Sequence, residues 1–298
     1  MIMLARWGYA LMLTASLTVI AGCVQETQLP ASISVENVGL STPESILFDA
    51  SIETYLVSNV SGDPLEKDNN GFISKIAPDG RVTELKWIDG NTEGVTLHAP
   101  KGMALVGDTL YVSDIDVVRL FDVDSGKPLG EVAVPGADFL NDLAAAPDGS
   151  VYVTDSGFGE GFVSTGEDAV YRITESGEVE TVLASPDLSN PNGIVVLPNG
   201  SLLIAPFGAP ALYTLTPQGN LSAEDFPAGS LDGIVRLADG TRLLSSWETS
   251  SVFRGAQGNY EVIRADVPSP ADIAVDTDKN RLLIPIFTED RLLFEALP

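Results

Sequence analysis

Polar side chains recur at one position of a pattern that repeats six times along the chain. The recurring positions lie 57, 40, 51, 40 and 39 residues apart. They are Glu44, Lys101, Asn141, Asn192, Asp232 and Ala271. A polar group at the start of an apolar segment is costly to bury unless it is paired or binds an ion. If these side chains meet, their carboxylate and carboxamide oxygens would form the all-oxygen shell that a hard divalent cation prefers.

The identity of the cation follows from the donor atoms. Ca²⁺ accepts about six to eight oxygens in irregular geometry, whereas Mg²⁺ needs a stricter octahedron. Zn²⁺ prefers His and Cys side chains, and the chain has only one of each. We therefore expect Ca²⁺, with Mg²⁺ or Mn²⁺ as alternatives, to polarise a substrate carbonyl or to activate a bound water. The other interpretation is that these side chains only hydrogen-bond to one another.

Short strands joined by tight turns must position these side chains. Each repeat contains brief apolar runs separated by turn residues, as in 144–146, 147–149 and 151–154. Asn-Gly and Asp-Gly pairs supply the positive φ angles of tight hairpins, and long helical periodicity is absent. A unit of about 45 residues of this kind is typical of a four-stranded blade. We predict an all-β fold, a six-bladed β-propeller whose innermost strands carry the recurring positions around one axis.

The two ends of the propeller are expected to complete one blade together. The sixth repeat stops after 291–295, one strand short of four. The segment Ser32–Val38 alternates in polarity like a strand and can supply the missing one. Such a closure removes most exposed strand edges. We therefore predict that residues 33–298 form one propeller in which an N-terminal strand closes the last blade.

The first residues are typical of an export signal. Arg6 precedes an apolar run too short to span a bilayer, and a small-residue site lies directly before Cys23. These residues resemble the bacterial lipoprotein box, so 1–23 is predicted to be a signal peptide that ends at a lipidated Cys23, and 24–32 a tether. Val24 in place of Asp favours the outer membrane, with the domain facing the periplasm or the cell surface. The alternative is an incidental thiol in a signal peptide.

The charge of the chain excludes some partners. The formal net charge is −26 at pH 7, which repels nucleic acid and anionic lipid headgroups. We therefore expect a monomer that binds a small-molecule substrate or ligand, does not bind nucleic acid and contacts a membrane only through its lipid anchor. The acidity favours binding of a hard cation, and it agrees equally well with simple solubility.

The dipeptides at the recurring positions carry a family resemblance. They are Pro43-Glu44, Asn141-Asp142, Asn192-Gly193 and Asp232-Gly233. Together they resemble the gluconolactonase/regucalcin family of six-bladed propellers, which includes luciferin-regenerating enzyme. The resemblance implies that Glu44, Asn192 and Asp232 hold a divalent cation in the central channel. It also implies that Asn141 lies beside the metal, where it contacts the ion, water or substrate, and that Asp232 is the general base.

Two positions depart from that family. Lys101 occupies the second-repeat position, where an ammonium group competes with a cation for neighbouring carboxylates. It can orient a substrate oxygen, replace part of the metal's charge, or reach solvent. Phe139 stands where sugar-lactone members carry an Arg that contacts the substrate, which favours an apolar substrate face.

Loop residues are expected to surround the opening of the central channel. Phe207, Trp247 and Phe287 follow second strands, where they either contact an apolar ligand or pack the blade ends. His98 lies on the loop before Lys101 and is either an acid or base or a surface residue. The predicted substrate-binding residues are Asn141, Lys101, Phe139 and Trp247.

The sequence therefore predicts a metal-dependent hydrolase of a small lactone or ester, in which Asp232 takes a proton from water. A non-enzymatic, membrane-tethered propeller that binds a ligand or a protein is the alternative, because propellers host both kinds of function. A third interpretation is a propeller whose calcium ion is purely structural. The single loop histidine argues against a Ser-His-Asp triad.

Overall fold

The computed structural model describes residues 31–298, which form six antiparallel sheets of four strands and one two-stranded hairpin. The architecture is the predicted six-bladed β-propeller. The predicted signal peptide, its Cys23 and most of the predicted tether lie outside the described residues. Within residues 31–298, no helix has the length and apolar character needed to cross a membrane.

The first three blades use consecutive strands. Blade one contains β2 (Pro43–Asp49), β3 (Thr54–Asn59), β4 (Phe72–Ile76) and β5 (Val82–Asp89). Blade two contains β6 (Pro100–Val106), β7 (Thr109–Asp114), β8 (Val117–Asp122) and β9 (Pro128–Ala133). Blade three contains β10 (Leu140–Ala145), β11 (Val151–Asp155), β14 (Ala169–Ile173) and β15 (Val179–Ala184). The hairpin of β12 (Phe158–Gly159) and β13 (Val163–Ser164) is inserted after β11.

The last three blades repeat the arrangement. Blade four contains β16 (Pro191–Val196), β17 (Leu202–Pro206), β18 (Ala211–Leu215) and β19 (Leu221–Asp225). Blade five contains β20 (Leu231–Arg236), β21 (Arg242–Ser246), β22 (Ser251–Ala256) and β23 (Asn259–Arg264). Blade six contains β24 (Ala274–Asp276), β25 (Arg281–Ile286), β26 (Arg291–Ala296) and β1 (Ser32–Val35). Three short 3-10 turns complete the described part, at Glu160–Phe162, Pro186–Leu188 and Phe287–Glu289.

Strand β1 closes the sixth blade from the outside, as predicted. It pairs antiparallel with β26, and Val35 lies opposite Leu292. The inner sides of blades one and six also meet, because the Asp272 N–H donates to the Glu44 carbonyl at 2.9 Å. The strand is shorter than the predicted segment, since Asn37 has a φ of 56°, which an extended strand does not allow.

The hydrophobic core lies between neighbouring blades. Six clusters of buried apolar side chains each combine residues of two adjacent blades. At the closure, the Tyr55 ring packs edge to face on Phe294 with centroids 5.0 Å apart, and its hydroxyl donates to Asp276 at 2.6 Å. Full burial of one large apolar side chain stabilises a fold by about 1.5–3 kcal/mol. This packing holds the first strands of all blades around one axis.

Candidate functional site

A β-bulge interrupts the inner strand at the predicted polar positions. In blade one, Pro43 pairs with Asn59 but Ile46 pairs with Val57, so the inner strand has one extra residue. The same shift follows the first residue of the inner strand in blades two to five, at Pro100, Leu140, Pro191 and Leu231. Bulges re-aim side chains next to functional sites. The residues within the bulge include the ones that the sequence predicted to face the axis.

The structure brings five of the six predicted axial residues into one cavity. The cavity has a volume of about 430 Å³, and its polar end is formed by Glu44, Lys101, Asn141, Asn192 and Asp232. All five side chains are buried. The sixth residue, Ala271, is buried and brings no polar side-chain atom to the axis. Phe139 and Trp247, the other predicted substrate-binding residues, line the same cavity.

Four buried oxygens of this cavity have no hydrogen-bond partner. They are Glu44 Oε2, Asn141 Oδ1, Asn192 Oδ1 and Asp232 Oδ1. One such oxygen costs about 1–3 kcal/mol, and four of them around one axis are of the type that a hard cation prefers as ligands. Two carboxylates and two carboxamides fit Ca²⁺ and do not fit Zn²⁺. Within the described residues no group of three His, Cys, Asp or Glu side chains is placed to hold a metal, so the carboxamides are essential to this set.

A hydrogen bond fixes the orientation of the Asn141 carboxamide. Its Nδ2 donates to Ser156 Oγ at 3.0 Å, which leaves Oδ1 to face the cavity. The Ser156 hydroxyl in turn donates to the Pro191 carbonyl at 2.7 Å. Because Pro191 precedes Asn192, this chain of bonds couples the two carboxamide-bearing strands.

Hydroxyl groups of the second strands support the axial backbone. This hydroxyl row consists of Ser58, Ser113, Thr154 and Ser245. Thr154 donates to the Asn192 carbonyl at 2.7 Å, Ser245 donates to the Ala271 carbonyl at 2.8 Å, and Ser113 donates to the Asn141 carbonyl. Sequence reasoning missed these residues, although a Ser or Thr near the end of four second strands is a visible signal.

The carboxyl groups near the axis lie close enough to repel one another. Burial raises the pKa of Glu44 well above its ordinary value, and the charges of Asp232 and Asp272 raise it further. Burial also raises the pKa of Asp232, and Asp272 and Asp142 add to this effect. Asp142 and Asp272 each follow an axial residue in the chain, and burial raises the pKa of Asp272 to about 7. A bound cation would relieve this repulsion.

Lys101 is buried inside the site. Its exposed fraction is 2%, so the interpretation that it reaches solvent is wrong. Its Nζ donates to the Ala99 carbonyl at 3.2 Å and to the Pro64 carbonyl at 3.3 Å, and it lies 4.2 Å from the centroid of the Phe139 ring. Burial lowers the pKa of Lys101 to about 8, and the Glu44 carboxylate opposes that shift.

Aromatic rings form the outer wall of the cavity. This aromatic arc consists of Phe139, Phe158, Phe162, Phe207, Trp247 and Phe287. Neighbouring rings contact one another with centroids 5.2–6.2 Å apart. Sequence reasoning found four of them and missed Phe158 and Phe162, because these two lie in the inserted hairpin, which has no counterpart in the other repeats.

The only histidine of the chain does not line the cavity. His98 Nδ1 accepts a hydrogen bond from the Asn69 N–H at 3.0 Å, and the His98 N–H donates to Asp114 at 3.0 Å. Asn69 belongs to the long 61–71 loop, whose Pro64 lines the cavity. His98 therefore helps to hold this loop at the mouth of the cavity.

Fold and site together define a six-bladed β-propeller with an oxygen-lined axial cavity beneath an aromatic wall. No protein-family model and no curated protein matches the chain. It is similar to the structure of a gluconolactonase from Xanthomonas campestris, with a TM-score of 0.68 and 17% identity over 90% of this chain and 89% of that one.

A second similar structure is that of virginiamycin B lyase from Staphylococcus aureus. Its TM-score is 0.63 at 15% identity, over 88% of this chain and 98% of that one. A histidine-to-alanine form of that lyase, solved with Quinupristin, is catalytically inactive. At these identities, both likenesses establish the propeller fold and leave the activity to be argued from the site.

Proposed function

We propose that the protein is a metal-dependent hydrolase of a small lactone or ester. The observation that carries the proposal is the set of four buried, unpartnered oxygens on residues that line one cavity. The similarity to a gluconolactonase supports lactone hydrolysis. The donor set favours Ca²⁺, with Mg²⁺ or Mn²⁺ as the next choices.

In this proposal Glu44, Asn141, Asn192 and Asp232 hold the cation, which polarises the substrate carbonyl or activates a water when it is bound. Asp232 accepts a proton from the attacking water as the general base. Lys101 contacts a substrate oxygen beside the metal ligands. The apolar wall keeps bulk water away from these polar groups, which strengthens their electrostatic effects.

The lyase neighbour offers a different reaction for the same fold. In its inactive form an alanine replaces one histidine. His98 of this chain accepts a hydrogen bond from Asn69 and does not line the cavity. The carboxylate base at the axis therefore favours hydrolysis over a reaction that depends on a histidine. A ligand-binding propeller without turnover is the remaining alternative, and Lys101 favours it because its charge competes with a cation.

Export and anchoring complete the proposal. The chain would be a lipoprotein held through Cys23 in the outer membrane, facing the periplasm or the cell surface. It would act as a monomer on a small molecule and would not bind nucleic acid, given its net charge of −26.

The test combines metal analysis with turnover on lactones and aryl esters. We expect about one divalent ion per chain and hydrolysis that a chelator abolishes. Asp232→Asn should lose the ion and lower kcat/KM by roughly 10²–10⁴-fold. Asp124→Asn is the matched control, because Asp124 is exposed on the second blade.

Analysis of the products distinguishes hydrolysis from an elimination of the kind that a lyase catalyses. Hydrolysis in ¹⁸O-labelled water places the label in the product, whereas an elimination does not. Turnover that survives both chelation and Asp232→Asn would refute the proposal. Tight metal binding without turnover on any substrate would favour the ligand-binding alternative.

A further inference from the structure

The cavity has two chemically distinct ends. Charged and carboxamide groups line the axial part, and the aromatic arc lines the rest together with Val60, Pro64 and Asn190. The five phenylalanine rings of the arc offer no hydrogen-bond donor or acceptor, and the Nδ2 of Asn190 already donates to the Ser156 carbonyl and to Ser164 Oγ. A polyhydroxylated ring placed there would lose hydrogen bonds to water without replacing them.

The inserted hairpin completes the aromatic arc. Its two strands pair through Phe158 with Ser164 and Gly159 with Val163. The base is tied down, because Asn190 Nδ2 donates to the Ser156 carbonyl at 2.7 Å and to Ser164 Oγ at 3.1 Å. The hairpin therefore stands on a fixed base, and two of its rings line the cavity.

Phe162, at the tip of the hairpin, is the least covered ring of the arc. It is 55% exposed although it lines the cavity. Its φ is 58°, a left-handed conformation that is uncommon for a residue other than glycine. Its ring contacts Phe139 and Phe158, both at 6.2 Å between centroids. An exposed ring held in this way is placed to cover the apolar part of a ligand.

We infer that the substrate is a lactone or ester that carries an apolar chain or ring, and that Phe162 determines this specificity. The inference rests on the proposed hydrolase function, whose carbonyl chemistry occupies the axial end. A carbonyl at that end leaves the rest of the 430 Å³ cavity to the apolar substituent. Pockets of about 300–1,000 Å³ accommodate small-molecule ligands.

The test is a series of γ-lactones with increasing alkyl chains, from γ-butyrolactone to γ-dodecalactone, with glucono-δ-lactone as the polar comparison. We expect kcat/KM to rise roughly two- to fourfold for each added CH₂ until the cavity is full. Glucono-δ-lactone should be the poorest substrate. Phe162→Ala should lower kcat/KM for the long-chain lactones by roughly tenfold, through KM, and leave γ-butyrolactone within about twofold.

Two variants control for a merely structural effect. Phe162→Leu keeps an apolar side chain and should restore most of the chain-length dependence. Leu129→Ala removes an exposed apolar side chain of β9 and should change neither kcat nor KM. A preference for glucono-δ-lactone, or an equal loss on all lactones in Phe162→Ala, would overturn the inference while the hydrolase proposal stands.

A binding measurement decides the case in which no lactone is hydrolysed. Calorimetry with cyclopentanone and 2-hexylcyclopentanone tests the apolar end without turnover. If 2-hexylcyclopentanone binds more tightly than cyclopentanone and Phe162→Ala abolishes this difference, the apolar specificity is supported and only the hydrolase is refuted. Equal or undetectable binding of the two ketones would refute the inference as well.

Discussion

The hydroxyl row determines where the axial carboxamides stand. Thr154 Oγ1 accepts the Asp142 N–H at 3.0 Å and donates to the Asn192 carbonyl at 2.7 Å. It thereby links the bulge of blade three to that of blade four. Without the hydroxyl, two buried backbone groups would lose their partner. The position of Asn192 thus depends on a residue 38 positions earlier in the chain.

Thr154→Val tests this role, because valine keeps the shape and removes the hydroxyl. We expect the free energy of unfolding to fall by about 1–3 kcal/mol, measured as a lower urea midpoint at unchanged slope. Metal affinity should fall in parallel, since Asn192 is displaced. Thr154→Ser retains the hydroxyl and should keep most of the stability. Equal stability of the Val and wild-type proteins would show that the hydroxyl is not needed.

Single residues were predictable from the sequence where they follow the repeat. Glu44, Asn141, Asn192 and Asp232 were found because each occupies the same repeated position, the second residue of an inner strand. The burial of Lys101 was not predictable, because it depends on the carbonyl of Pro64 in a loop without repeat character. A side chain that is partnered by non-repeating loops leaves no periodic signal.

At the scale of elements, the bulges orient the axial side chains, whereas β1 closes the sixth blade. The bulges turn polar residues toward the axis without breaking the inner strands. Strand β1 covers β26, and Val35 is 3% exposed within a cluster that includes Leu292 and Phe294. Removing β1 would expose that cluster together with an unpaired strand edge.

Two truncated forms test the closure, one starting at residue 31 and one at residue 37. The shorter form loses the Val35 contacts and the β1–β26 pairing. We expect it to be less stable by at least about 3 kcal/mol and to melt lower by about 6–12 °C. It should also aggregate more readily, as light scattering would detect. Identical melting of the two forms would mean that β1 does not secure the ring.

The closure shows what a sequence pattern predicts at this scale. Blade number and closure were predictable, because alternating apolar residues and Gly turns repeat along the chain. The extent of β1 was not, since the strand ends at Val35 and the left-handed backbone of Asn37 prevents its continuation to Val38. The inserted β12–β13 hairpin was not predictable either, because its two-residue strands are too short to show a period.

At the scale of the whole molecule, the axis concentrates negative charge in a chain with a net charge of −26. Glu44 and Asp232 come from blades one and five, and Asn141 and Asn192 come from blades three and four. A cation bound by all four would connect non-adjacent blades across the channel. Its removal should therefore weaken the ring as a whole.

Calorimetric melting in Ca²⁺ and in chelator tests this coupling. A ligand present at 100 times its Kd stabilises the folded state by about 2.7 kcal/mol, so we expect the Tm to rise by about 5–10 °C. NaCl of equal ionic strength controls for screening of surface charge. The double variant Glu44→Gln/Asp232→Asn should lose the Ca²⁺ response. In chelator it should melt above the wild type, because the amides remove the repulsion between buried carboxylates. An equal Ca²⁺ response in both proteins would assign the stabilising ion to the acidic surface and not to the axis.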